Sequence, residues 1–205
     1  MAETSGSARH WDTVYATKDT RTVSWHEDVP TTSLRLIGPR GSRTSVVDIG
    51  AGASPLGDHL VAQRWEHVTL LDVSDEGLAL TRERLRQHAP HPELVVSDVL
   101  DWSPARQYDV WHDRAVLHFL TDPGDRARYV DLAARTVAPQ GHLVVGGFAP
   151  DGPTHCSGLP TAQRSAHELA LEFAEHFTQV ELDTDTHTTP SGAEQAFAWA
   201  VLQRR

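Results

Sequence analysis

The sequence has a single cysteine, no long apolar run and no histidine motif of the metal-binding kind. Cys156, as the lone cysteine, cannot form a disulfide within the chain or supply a multi-thiolate zinc site. The 13 histidines lack ligand spacings such as His-Glu-x-x-His, so we expect no metal centre. No segment approaches the roughly 20 apolar residues of a membrane helix, and the first ten residues have no apolar signal core. We therefore expect a soluble, cytoplasmic protein that does not act at a membrane.

The chain also has little positive charge. Its 18 basic residues, of which only Lys18 is a lysine, compare with 28 acidic residues, and the net charge is −10. Without a Lys/Arg cluster, such a chain repels phosphate backbones, so nucleic acid is not an expected partner. The length of 205 residues and the hydrophobic content of 39% suit one domain with one sizeable core.

Short apolar runs alternate with helical stretches along most of the chain. The runs that we interpret as strands lie at 46–49, 68–71, 94–96, 108–111 and 142–148, with two more at about 177–183 and 194–202. Helices with one apolar face are expected between them. This alternation predicts an α/β fold: a Rossmann-like, doubly wound sheet of about seven strands with helices on both faces.

The first predicted strand runs directly into a glycine loop. In the run VVDIGAGASPL, Gly50, Ala51 and Gly52 let the backbone turn sharply and approach a ligand closely. Asp72 follows 20 residues after Gly52, at the end of the next strand and just before Val73. A carboxylate at that point can accept two hydrogen bonds from a ribose diol, which favours a nucleotide or nucleoside site.

Two residues distinguish this loop from a dinucleotide fingerprint. Pro55 stands where the third glycine of Gly-x-Gly-x-x-Gly would lie, and Asp48 precedes the first glycine by two residues. Asp48 would repel a pyrophosphate, but it can hold the ammonium group of an amino acid. After the third strand, the Asp98 carboxylate can accept from an adenine amine while the Val99 amide donates to a ring nitrogen. A nucleoside joined to a cationic amino acid fits S-adenosylmethionine, which is therefore the expected ligand. The alternative is a dinucleotide, which would make the protein an oxidoreductase.

These residues together resemble class I S-adenosylmethionine-dependent methyltransferases over essentially the whole chain. The matching pieces are DIGAG, the acid of LLDVS, the SDV after the third strand and the final strand pair. The resemblance implies that the last strand lies antiparallel in the sheet and that S-adenosylhomocysteine is the product. It also implies a set of cofactor contacts: Asp48, Gly50, Ala51 and Gly52 near the methionine, Asp72 and Val73 at the ribose, and Asp98 and Val99 at the adenine.

Two further segments resemble a narrower group. Residues 113–132 are similar to the Asp-Arg-Gly-Ala segment, followed by Pro-Gly-Asp-Arg, of thiopurine S-methyltransferases. Residues 10–27 are similar to the Trp-containing N-terminal segment of those enzymes and of methyltransferase-like proteins that modify protein lysines. The lysine-modifying proteins carry Asp-Lys-Gly-Thr where this chain has Asp-Arg-Ala-Val, which lies nearer the small-molecule branch. We therefore expect a small-molecule acceptor, with a thiol or other soft nucleophile favoured and a protein lysine as the alternative.

Three consecutive residues after the fourth predicted strand are candidates for catalysis. His112 could be a general base, or simply an imidazole that packs against a helix. Arg114 could grip an anionic substrate or lower the pKa of a thiol, or it could pair with a neighbouring acid. Asp113 could contact the methionine end of the cofactor or fix Arg114. Trp25 is expected to cover the site, where its indole would attract the sulfonium.

The expected organisation is one methyltransferase domain over residues 1–205. Residues 1–43 form a helical segment that covers the cofactor, and residues 44–205 form the Rossmann-like core. The acceptor atom and the oligomeric state stay open.

Overall fold

The computed structural model describes residues 4–40, 42–88 and 91–205. They form a seven-stranded sheet with helices on both faces, and two further short strands, His155–Cys156 and Leu159–Pro160, pair with each other in a separate hairpin. The strands are β1 Ser45–Ile49, β2 His67–Asp72, β3 Glu93–Val96, β4 Tyr108–Arg114, β5 Val137–Phe148, β6 His155–Cys156, β7 Leu159–Pro160, β8 Phe177–Thr188 and β9 Glu194–Arg204. The helices are α1 Thr4–Thr17, α2 Thr31–Ile37, α3 Leu56–Ala62, α4 Asp75–Leu85, α5 Pro123–Thr136 and α6 Ala166–Glu172, with 3₁₀ turns at Val99–Asp101 and Leu117–Phe119.

The sheet order is β3-β2-β1-β4-β5-β9-β8. The first five strands are parallel, and β9 lies antiparallel between β5 and β8. The predicted Rossmann-like α/β fold with an antiparallel last strand is therefore confirmed. In such a sheet the parallel strands end along one edge, where open α/β folds bind their ligands.

The alternation of side chains along the strands divides the core between two faces. Val47 and Trp111 pack in the cluster that includes α5 and α6, whereas Val46 and Val110 pack in the cluster that includes α2, α3 and α4. Because successive residues of a strand point to opposite faces, β4 sends its polar end residues in both directions. This alternation separates the three candidate catalytic residues, which are consecutive in the sequence.

Three strands extend well beyond their apolar runs, and one of them is β5, which begins at Val137 rather than at 142. Strand β4 continues three residues beyond the predicted end at 111, and β8 continues to Thr188. In β4 the continuation is polar but buried, because His112 and Asp113 find hydrogen-bond partners in the interior. The segment between β5 and α6 contains the small β6–β7 hairpin, which is not part of the main sheet.

The N-terminal helix α1 is fastened to the start of α4. Ser74 caps α4 by accepting a hydrogen bond from the Gly77 amide, as its position before two acids predicts. The Ser74 hydroxyl in turn donates to Asp12 of α1, at 2.7 Å. Across residues 4–40, 42–88 and 91–205, no helix has both the length and the apolar character needed to span a bilayer.

Candidate active site

A cavity lies at the carboxyl edge of the parallel strands, between the glycine loop and the N-terminal segment. Most of the residues predicted to hold the cofactor line it, as do two of the three catalytic candidates: Trp25, Asp48, Gly50, Ala51, Asp72, Val73, Asp98, Val99, His112 and Arg114. Gly52 lies beneath Tyr15, and Asp113 points elsewhere. The cavity therefore brings together residues from β1, β2, β3 and β4 that are far apart in the sequence.

The glycine loop has the conformation that requires glycine. Gly50 and Gly52 have φ values of +72° and +42°, in the left-handed region. A Cβ atom on Gly50 would collide with Val116, and one on Gly52 would collide with the Tyr15 hydroxyl. Pro55 comes directly before α3, a position that proline tolerates because the first turn of a helix needs no amide partner.

Asp72 is a buried carboxyl on the wall of the cavity. Its Oδ1 atom accepts a hydrogen bond from the Ser74 amide at 2.8 Å. The pKa of Asp72 is raised to about 7, mainly by burial and to a smaller extent by the carboxylates of Asp48 and Asp12, while the amides of Ser74 and Gly52 act in the opposite direction. A buried carboxyl in this state suits a ligand with hydroxyl donors, because such donors stabilise its charged form.

Asp98 caps a short turn and also lines the cavity, while its contact with adenine stays a prediction. Its Oδ1 atom accepts from the Leu100 amide at 2.9 Å and so caps the short 3₁₀ turn. The residue also lines the cavity together with Ser97 and Val99. The cap fixes the carboxylate at the rim of the cavity, where it can still accept from a further donor.

His112 lies between a carboxylate and a hydroxyl on the cavity wall. Its Nδ1 atom lies 2.7 Å from Asp48 Oδ1 and its Nε2 atom 2.9 Å from the Ser33 hydroxyl, and all three side chains are buried. Both ring nitrogens are therefore engaged. His112 is thus in direct contact with Asp48, and its role as a general base stays a prediction.

Asp113 does not face the cavity, which corrects its placement among the catalytic candidates. It lies on the opposite face of β4 from His112, fully buried, and accepts hydrogen bonds from the amides of Val116 and Leu117. The Tyr129 hydroxyl of α5 also donates to it. Burial raises the pKa of Asp113 to about 6, and these donors lower it. Its role is to close the turn that follows β4.

That turn has an unusual backbone. Ala115, next to Arg114, has a φ of +72°, a conformation that alanine rarely adopts. The similar segment of thiopurine S-methyltransferases has glycine at this place in Asp-Arg-Gly-Ala. The left-handed backbone explains in physical terms why glycine suits the position.

Arg114 lines the cavity but is paired with an acid that the sequence reading did not identify. Its Nε atom lies 3.4 Å from Glu27, one Nη donates to the Trp25 carbonyl at 3.2 Å, and its Cζ atom lies 4.8 Å above the Phe197 ring. Burial lowers the pKa of Arg114, and Glu27 raises it. The guanidinium is therefore held by the protein itself.

Glu27 connects the cavity to a neighbouring groove, which we call the outer groove. The outer groove is lined mainly by residues within 26–32 and by residues 185–188 of β8. It lines both, and its Oε1 atom lies 3.7 Å from Nδ1 of His187, a residue of the groove. The other ring nitrogen of His187 donates to the Ser24 carbonyl at 2.8 Å. Burial raises the pKa of Glu27, but His187 and Arg114 lower it by more, so the carboxyl's pKa lies below its usual value.

Aromatic side chains from the N-terminal segment cover the cavity. The rings of Trp11 and Trp25 meet edge-on with centroids 5.6 Å apart, and Trp11 meets Phe119 at 5.5 Å. Tyr15 stands over Gly52 and Gly77. Trp11, Tyr15 and Trp25 all line the cavity.

Cys156 also lines the cavity, but as an unreactive thiol. Burial raises its pKa to about 11, and the nearby Arg114 only partly lowers it. A protonated thiol is a poor nucleophile.

Sequence reasoning missed three residues of this site, which are Glu27, Ser33 and His187. Ser33 and Glu27 lie in the polar N-terminal part, and His187 lies at the end of β8. Their meeting depends on how α2 and β8 pack against β4, for which the sequence carries no local signal. Within the described residues, no group of three or more His, Cys, Asp or Glu side chains could hold a metal ion.

The residues present fit S-adenosylmethionine. The left-handed glycines leave the loop without side chains, and Asp72 offers a buried carboxyl to a diol. Among the cavity residues that the structure describes, the side chains of Glu27, Asp48, Asp72 and Asp98 are acidic and only Arg114 is a lysine or arginine. Such a surface suits a ligand with sulfonium and ammonium charges.

Comparison with known proteins agrees with this geometry. Residues 46–141 match the family model described as a methyltransferase domain. The chain is similar to nodulation protein S of Rhizobium tropici, with 29% identity over 147 residues; the match covers 72% of this chain and 60% of that protein's length. A second nodulation protein S, from Sinorhizobium fredii strain NGR234, is 29% identical over 113 residues; the match covers 55% of this chain and 51% of that protein.

A solved structure shares the fold more completely. The N-methyltransferase NodS from Bradyrhizobium japonicum WM9, in complex with S-adenosylhomocysteine, superposes with a TM-score of 0.75 and 20% identity, over 97% of this chain and 98% of that one. The family match, the shared fold and the cavity's residues agree with one another. Residues 46–141 therefore match a methyltransferase domain in sequence, and the chain shares its fold with a protein solved with S-adenosylhomocysteine bound.

Proposed function

We propose that this protein transfers the methyl group of S-adenosylmethionine to a nitrogen atom of a small-molecule amine. The observation that carries the proposal is that Glu27 neutralises Arg114 on the cavity wall, so that the remaining carboxyl groups, Asp48, Asp72 and Asp98, leave the cavity with an excess of negative charge. An acceptor that arrives as an ammonium ion is attracted to such a surface, whereas an anion is repelled.

A thiol acceptor, which the sequence favoured, has less support. That expectation depended on an Arg114 charge available to stabilise a thiolate. The guanidinium is instead paired with Glu27 and lies against the Phe197 ring. Its charge is largely compensated before any substrate binds.

Different residues of the site bind the cofactor, exclude water and orient the acceptor. The cofactor supplies a methyl group on a positively charged sulfur, already a strong electrophile. Asp48, Asp72 and Asp98 bind its polar parts, and the aromatic cover excludes water. Glu27 orients the acceptor nitrogen while it is still an ammonium ion, and because the pKa of Glu27 is lowered the proton leaves to solvent, by way of the outer groove that Glu27 also lines. The neutral amine then has the lone pair that attack requires.

The relatives support nitrogen without deciding the substrate. NodS is an N-methyltransferase. The chain also resembles a protein solved in work on the conversion of a disulfide bond into a thioacetal group during echinomycin biosynthesis, with a TM-score of 0.76, 18% identity, and coverage of 96% of this chain and 92% of that one. Because this fold accompanies both nitrogen and sulfur chemistry, the charges of the site are the better guide.

Calorimetry and a labelled-methyl screen test the proposal. We expect S-adenosylhomocysteine to bind and NAD not to bind, and we expect label from S-adenosylmethionine to enter amines rather than thiols or carboxylates. Glu27→Gln, which has nearly the same shape, should bind S-adenosylhomocysteine normally but lose most of the amine methylation. Label entering thiols preferentially would contradict the nitrogen assignment, and label entering only protein lysines would contradict the small-molecule one.

A further inference from the structure

We propose that His112 and Ser33 are positioning residues that hold the Asp48 carboxylate so that one of its oxygens receives the ammonium group of the cofactor's amino-acid end. This inference rests on the proposed function, because it assumes an S-adenosylmethionine site. It assigns roles to a buried histidine and a buried serine that the transfer step itself does not use.

The three residues form a continuous hydrogen-bonded chain across three elements. Asp48 and His112 are directly opposite each other on the neighbouring parallel strands β1 and β4, so their side chains leave the same face of the sheet. Ser33 reaches the far side of the imidazole from α2. The distances are 2.7 Å and 2.9 Å, and all three residues also line the cavity.

The chemistry of the partners sets the direction of the chain. An ionised carboxylate only accepts, so His112 carries its hydrogen on Nδ1 and donates it to Asp48 Oδ1. The Nε2 atom of the neutral ring then accepts from the Ser33 hydroxyl. Ser33 thereby fixes the ring from one side while Asp48 fixes it from the other.

The arrangement leaves one carboxylate oxygen for the ligand. Among residues 4–40, 42–88 and 91–205, no hydrogen bond reaches Oδ2 of Asp48, although the residue is buried. A buried carboxylate with one free oxygen on a cavity wall attracts a cationic donor. Without His112 the carboxylate would be free to rotate, and part of its ability to discriminate in favour of an ammonium group would be lost.

Two variants of His112 separate positioning from packing. The side-chain amide of His112→Asn can place a donor near the position of Nδ1, which keeps the bond to Asp48. The amide of His112→Gln reaches the position of Nε2 instead, which keeps the bond to Ser33 and loses the bond to Asp48. His118→Asn is the matched control, because His118 is an equally buried histidine that does not line the cavity.

The measurement is calorimetric binding of two ligands by the full chain. S-adenosylhomocysteine carries the amino-acid end, and 5′-methylthioadenosine lacks it. We expect His112→Gln to weaken S-adenosylhomocysteine about tenfold or more and to leave 5′-methylthioadenosine within about threefold. His112→Asn and the control should bind both ligands nearly as wild type does, and Ser33→Ala should show a smaller loss for S-adenosylhomocysteine alone. Thermal melts identify any variant that does not fold, and Ser33→Ala then provides the decisive comparison.

The outcomes separate the inference from the proposed function. A loss confined to S-adenosylhomocysteine supports the positioning role. Equal losses for both ligands in the folded His112→Gln protein, or no loss for either, overturn the inference while leaving the cofactor site intact. Failure of the wild-type protein to bind S-adenosylhomocysteine overturns the cofactor assignment and the inference together.

Discussion

At the scale of single residues, the site depends on carboxyl groups whose surroundings differ. Asp72 is buried against other acids, and the pKa of its carboxyl rises to about 7. Glu27 has His187 and Arg114 beside it, and the pKa of its carboxyl falls. The two acids lie on the same cavity, but at neutral pH Glu27 is ionised whereas Asp72 titrates. The charge of Asp72 therefore changes as pH passes through about 7, whereas the charge of Glu27 does not change in that range.

Asp72→Asn should weaken the cofactor site and strengthen the fold. Because the pKa of Asp72 is raised in the folded state, its favourable contribution to stability is present at low pH and is lost as pH rises through about 7. At about pH 8 we expect the variant to be more stable than wild type by about 1–4 kcal/mol, and at about pH 5 the difference should shrink. Chemical denaturation at both pH values measures this difference.

The same variant should bind S-adenosylhomocysteine at least about tenfold more weakly at pH 8, since an amide cannot accept from a diol as a carboxylate does. Asp101→Asn, at an exposed acid on the 3₁₀ turn, is the control. Equal stability of Asp72→Asn and wild type at both pH values would show that Asp72 carries no burial cost.

Arg114 and Glu27 should respond to substitution in opposite directions. If the acceptor is an amine, Arg114→Ala removes a competitor for Glu27, and KM should stay the same or fall. Glu27→Gln should raise KM strongly, because the carboxylate that attracts the ammonium ion is gone. Profiles of kcat/KM against pH, for wild type, Arg114→Ala and Arg114→Lys, provide the measurement. A strong rise in KM for Arg114→Ala, with the pH optimum moved upward, would instead indicate a thiol.

At the scale of elements, α1 and α2 tie the cover of the cavity to the core. α1 contacts α4 through Asp12 and Ser74, and α2 contacts β4 through Ser33 and His112. The cover is thus held by a few polar bonds together with its aromatic contacts. Residues 1–43 as a cofactor-covering segment remain a prediction that these contacts support.

Deletion of residues 1–28 should leave a folded core with greatly reduced turnover. The strands and helices of the core lie beyond this segment, whereas the loss of Trp11, Tyr15 and Trp25 opens the cavity to water. Circular dichroism and turnover with labelled S-adenosylmethionine are the measurements. Asp12→Ala, which removes the acceptor of the Ser74 hydroxyl and of the Glu76 amide, should lower stability by about 1 kcal/mol and give a turnover between those of wild type and the deletion variant. Full turnover in the deletion variant would show that the segment only packs against the core.

At the scale of the whole molecule, the cofactor site joins both parts of the chain. Its lining comes from the N-terminal segment and from the ends of four parallel strands. A ligand in this cavity would contact both the N-terminal segment and the central strands of the sheet. Its binding should therefore stabilise the molecule as one unit.

S-adenosylhomocysteine at about 100 times its Kd should raise stability by about 2.7 kcal/mol and keep a single thermal transition. At one fixed ligand concentration, the shift should be larger at pH 8 than at pH 6, because Asp72 must be ionised to accept fully from the ribose and its pKa is about 7. Differential scanning calorimetry at both pH values checks this, with NAD as the control ligand. Two separate transitions, of which only one moves, would contradict a site that joins the two parts.

Much of this protein could be predicted from local sequence. The apolar run before Gly50 predicts a buried strand, and Ser74 before two acids predicts a helix start; both lie where expected. The glycine loop and the strand-end acids Asp72 and Asp98 also predict the cofactor. Each of these signals is a short local pattern, a strand followed by glycines or by an acid, and so can be recognised in the sequence. Hydrophobic periodicity, capping and glycine conformation are local properties, so a sequence expresses them directly.

The tertiary structure alone decided what these residues do to one another. The pairing of β1 with β4 places Asp48 opposite His112, and the alternation along β4 turns Asp113 away from its two neighbours. The packing of the N-terminal segment brings Glu27 to Arg114 and compensates the charge on which a thiol preference depended. Such contacts join residues that are dozens of positions apart. They depend on strand register and on which face of an element is buried, and neither leaves a local pattern in the sequence.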